Sequence, residues 1–96
     1  MAERVLGAAH QALLAFDPST PNRGVKEQEL GVLRDDFLGN SAGRAACRAC
    51  LLELEFLDTQ QVDTLFNTGA RAEQVRGRVA EAIADALLAE LLTFHP

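Results

Sequence analysis

Two carboxylates two residues apart, Glu53 and Glu55, sit in the stretch CLLELEFLDT from Cys50 to Thr59. In a strand, side chains two apart share a face, so both glutamates would project together, with Leu52, Leu54 and Phe56 on the other side. Leu51 breaks the alternation, which suggests a strand partly covered on both faces. A carboxylate near the carboxyl end of a buried strand, just before a strand-to-helix turn, stands where open α/β sheets place their active sites. Asp58 with Gln61 three residues on forms a capping-box pattern for the helix that follows. From the pattern alone, Glu53 and Glu55 read as a solvated strand face, because charged residues are mostly exposed.

Other residue types capable of chemistry are sparse. Cys47 and Cys50 form a lone C-x-x-C, which supplies at most half of a zinc tetrahedron. A redox pair needs a thioredoxin-like context in which the motif opens a helix, whereas Cys50 enters the expected strand. Two small residues that lie close together is the better reading. His10 has Leu13 and Leu14 at i+3 and i+4, so it is a helix-boundary histidine rather than a ligand. His95 falls in a frayed tail. Arg23 and Lys26 bring positive charge to a loop and read as solvated.

The elements that must position these groups follow from periodicity. Residues 2–16 predict a helix, with Val5, Leu6, Ala9, Leu13 and Phe16 in one stripe, and Asp17-Pro18 stops it. Residues 17–28, with two prolines and a glycine, form a loop. Residues 29–34 read as a short strand, and 35–46 as a loop. After the Glu53 strand comes a short helix from about Thr59 to Phe66, with Val62, Leu65 and Phe66 facing inward. Thr68 is a candidate N-cap for a last helix reaching about Leu92, whose stripe is Val75, Val79, Ile83, Ala86 and Leu87. The tally of helix, strand, strand, helix, helix is short of strands, because two strands make a poor sheet.

Composition narrows the function classes. The 96 residues make one small domain with a modest core. Nine basic against fourteen acidic residues give a net charge of −5, which argues against nucleic acid or an anionic membrane as the main partner. No apolar run approaches the roughly 20 residues of a membrane span, and the amino-terminal stretch lacks the basic start and apolar core of a signal peptide.

Three blocks carry a family resemblance: RGVKEQELGVLR from Arg23 to Arg34, ACLLELEFLDT from Ala49 to Thr59, and LFNTGARAEQVRGRVAEAIADAL from Leu65. Together they resemble the carboxyl-terminal half of the zinc-dependent N-acetylmuramoyl-L-alanine amidases, the cell-wall hydrolases of the amidase-3 type. The resemblance implies an α/β fold, a three-layer α/β/α mixed sheet, incomplete here with about two strands and three helices. Residues 1–96 would be the half of the catalytic domain that lacks the zinc ligands.

The implied reaction is hydrolysis of the muramoyl–alanine amide of peptidoglycan by a zinc-activated water. Glu53 corresponds to the family's general base, which reverses the reading of that residue from pattern alone. Arg23 and Lys26 match the RGVK block, where a structural role stands beside contact with anionic substrate. The departures are substantial. His10 and His95 match no zinc-ligand position, Glu55 replaces the family's glycine, Thr59 its asparagine, and the connection holding the C-x-x-C is longer. The expectation is a partial amidase, inactive alone, with its zinc and remaining strands supplied by a missing amino-terminal half. The family usually works in the periplasm, the cell wall or outside the cell. The alternative is a non-catalytic α/β interaction module that completes its sheet by homodimerisation.

Overall fold

A computed structural model describes residues 1–27, 33–34, 48–54 and 59–93. Among them there are three helices and no strand. The first, α1 (Ala2–Leu14), keeps the expected stripe: Val5, Ala9 and Leu13 are buried. It ends where Asp17-Pro18 requires, and the amides of Phe16 and Asp17 both donate to the Leu13 carbonyl at 2.9 and 2.8 Å. The second, α2 (Gln60–Asp63), runs directly into a π-helical turn, Thr64–Thr68. The third, α3 (Ala72–Thr93), is 22 residues long.

α1 and α3 pack antiparallel. The amino group of Met1 lies 2.8 Å from a Glu90 carboxylate oxygen near the end of α3. At the opposite end, the Arg71 guanidinium sits over the Phe16 ring, 5.3 Å from its centroid. Between these points Ala9 and Leu13 meet Val75 and Val79, and Val62 and Phe66 of α2 and its π turn close the cluster. Val75 is fully buried. Arg76 donates to the Phe66 carbonyl, tying the π turn to α3.

The α/β expectation is therefore corrected to an all-helical fold. Of the strand expected over 29–34, residues 29–32 lie outside the described residues, Leu33 sits in a 3₁₀ turn and Arg34 has no regular structure. The Glu53 segment forms no ladder from Cys50 to Leu54, and residues 55–58 lie outside the described residues. The supposed cover on both faces is absent here too: Leu52 packs against the helical core, while Leu51 and Leu54 are exposed. The physical reason is competition for the core. A leucine-rich run holds as a strand only beside neighbouring strands, and the helices have already paired their stripes with one another.

Two caps also differ from expectation. The N-cap of α2 is Thr59, whose hydroxyl accepts from the Val62 amide at 3.3 Å; Asp58 lies outside the described residues. Thr68 does not cap α3. It closes the π turn, and α3 begins at Ala72.

Gly69 sits at the junction, its amide donating to the Thr64 carbonyl at 2.8 Å. A Cβ at Gly69 would lie 2.5 Å from that same oxygen, whereas one at Gly77, in the middle of α3, would meet nothing within 4 Å. Two identical substitutions should thus have opposite signs in urea denaturation. Gly69→Ala is expected to lower stability by about 1–3 kcal/mol through backbone displacement. Gly77→Ala should raise it by about 0.5–1 kcal/mol through helix propensity.

Candidate functional site

Helix α1 forms one wall of a groove of about 860 Å³; the loop from Thr20 to Glu27 and the segment from Ala49 to Leu54 form the others. Arg23, Lys26, Cys50, Glu53 and His10 all line it. The structure therefore brings Arg23 and Glu53 to one place, although no strand positions either. Glu53 is exposed, on a segment without regular structure.

The loop that forms one wall is firmly built. Asp17 receives the Ser19 amide and hydroxyl on Oδ1, at 3.0 and 2.6 Å. Its other oxygen receives the Gln61 side-chain amide at 2.9 Å. Gln61, expected to close a capping box with Asp58, instead fastens α2 to the end of α1. Thr20 is buried and donates its hydroxyl to the Asp17 carbonyl at 2.8 Å. His10 Nε2 lies 3.0 Å from the Thr20 carbonyl oxygen, so the histidine holds the loop against α1.

The zinc implied by the resemblance finds no ligand set among the described residues. Among the described residues no group of three or more His, Cys, Asp or Glu could hold a metal ion. His10 is engaged with Thr20, and His95 lies outside the described residues. Cys50 is a half-buried free thiol, and Cys47 and Glu55 lie outside the described residues. No step through a metal is derived for Glu53.

A second surface was missed in the sequence. Leu87, Leu88, Leu91 and Leu92 of α3 are 45%, 56%, 68% and 75% exposed. Leu87 was expected in the buried stripe with Val75, Val79, Ile83 and Ala86. Val75, Val79 and Ala86 are buried and Ile83 is half-buried, but Leu87 points away. At about 100° per residue, Gly77, Ala80, Ala84, Leu87, Leu88 and Leu91 form a second apolar stripe, and all six are exposed. Arg78 and Asp85 occupy a separate flank, and Glu81 stands at the edge of the stripe, about 20° from Leu88. The signal was legible in the 80-84-87-91 spacing, which repeats four and three like a helix-pairing seam. No helix among the described residues is long and apolar enough to cross a membrane.

Glu90 carries the charged contacts of this helix. Besides Met1, Arg4 approaches it at 3.6 Å and Arg48 at 3.2 Å. The hydrogen bond from the Met1 amino group, and then the nearby positive charges, hold its carboxyl below its ordinary value. The hydrogen bonds from Ser19, with a smaller one from Gln61, do the same for Asp17. A lowered folded-state value contributes stability above the ordinary carboxylate range and loses it as pH falls through the folded value. Thermal melts should accordingly show a plateau at neutral pH and a shallow fall below about pH 4. Glu90→Gln combined with Asp17→Asn should flatten that fall, and an unchanged profile would contradict the assignment. Glu53→Gln should leave stability within about 0.5 kcal/mol of the parent, as for an exposed side chain, measured by the same denaturation.

With the fold and both surfaces described, comparison with known proteins adds no relative: no family model, no curated protein and no solved structure matches the chain.

Proposed function

We propose that the chain is a non-catalytic helical docking module whose working surface is the outer stripe of α3. The supporting observation is the row of four exposed leucines at the carboxyl end of that helix. Leucines scattered singly over a surface need no explanation, but contiguous exposed apolar patches mark interaction sites. The amidase reading rests on the resemblance alone, and no strand occurs among the described residues to fix Glu53 in a sheet. The alternative of an α/β module completing its sheet by homodimerisation falls with the sheet, since no strand occurs among the described residues; the face offered here is a helix.

Magnitudes indicate the kind of contact. Full burial of one leucine contributes about 1.5–3 kcal/mol. Covering these partly exposed side chains, with a similar apolar face opposite, gains on the order of 10 kcal/mol. Association costs about 4–15 kcal/mol in lost freedom. The balance describes a reversible contact that depends on concentration, not a permanent one.

Thiol footprinting tests the docking reading without assuming a partner. In a Cys47→Ser/Cys50→Ser background, Leu88→Cys and Arg78→Cys place one thiol on the stripe and one on the charged flank. In purified protein at low concentration both should react with a bulky maleimide at similar rates. In extract of the cells that make the protein, position 88 should be shielded at least about tenfold relative to position 78, equivalent to about 1.4 kcal/mol of protection. Equal rates in extract would overturn the reading.

A further inference from the structure

We draw no further inference here: the strongest candidate, the exposed face of α3 that carries Leu87, Leu88, Leu91 and Leu92, is the surface already described, and nothing in the structure shows what covers it.

Discussion

The packing of α1 on α3 is the contact on which the rest of the structure depends. A 13-residue helix is marginal in water by itself, so α1 needs a partner for its apolar face. Ala9 and Leu13 find it in Val75 and Val79, with Val75 entirely buried. Both ends of the pair are fixed by charge: Glu90 gathers the Met1 amino group and Arg4 at one end, and Arg71 covers Phe16 at the other. Direction and register follow from those anchors together with the stripe. α2 and its π turn then fill the end of the seam with Val62 and Phe66.

That seam leaves α3 with one apolar face too many. Its alanines and leucines encircle much of the helix, and α1 covers only the side that carries Val75, Val79 and Ala86. The outer side has a line of small residues leading into a line of leucines, with Arg78 and Asp85 on a flank and Glu81 at the edge of the line. Among the described residues its neighbours are α1 and the π turn, and neither covers the outer side. The same feature explains why the helix reads as weakly amphipathic: two apolar stripes on different sides partly cancel.

The groove beside α1 is organised differently. The turn from Asp17 to Thr20 that leads into its loop wall is held by hydrogen bonds that cross between elements, from Gln61 on α2 and between His10 on α1 and the Thr20 carbonyl. Those bonds give His10 and Gln61 structural duties. Glu53 lies on the groove wall with Arg23 and Lys26 nearby, yet it is exposed and no regular element fixes it. A general base needs a fixed position relative to the proton it takes, and a segment without ladder or helix does not provide one.

The sequence by itself determined the helices. The stripes of α1 and α3, the Asp17-Pro18 stop, the start of α2 near Thr59 and the inward Val62 and Phe66 were all readable, because each depends on neighbours within one or two turns. The alternation in CLLELEFL was equally visible, but a strand depends on what lies beside it, and a local pattern contains nothing about neighbours far away in the chain. Tertiary structure decided that Leu52 would join a helical core while Leu51 and Leu54 faced outward. It also decided which of α3's two apolar stripes α1 would cover, turning Leu87 from an expected core residue into part of an exposed face. Gln61 illustrates the same division: its spacing from Asp58 suggested a local cap, and only the return of the chain past Asp17 offered it the bond it makes. Short-range periodicity fixes an element; the choice among its faces is made by whichever partner the fold brings to it.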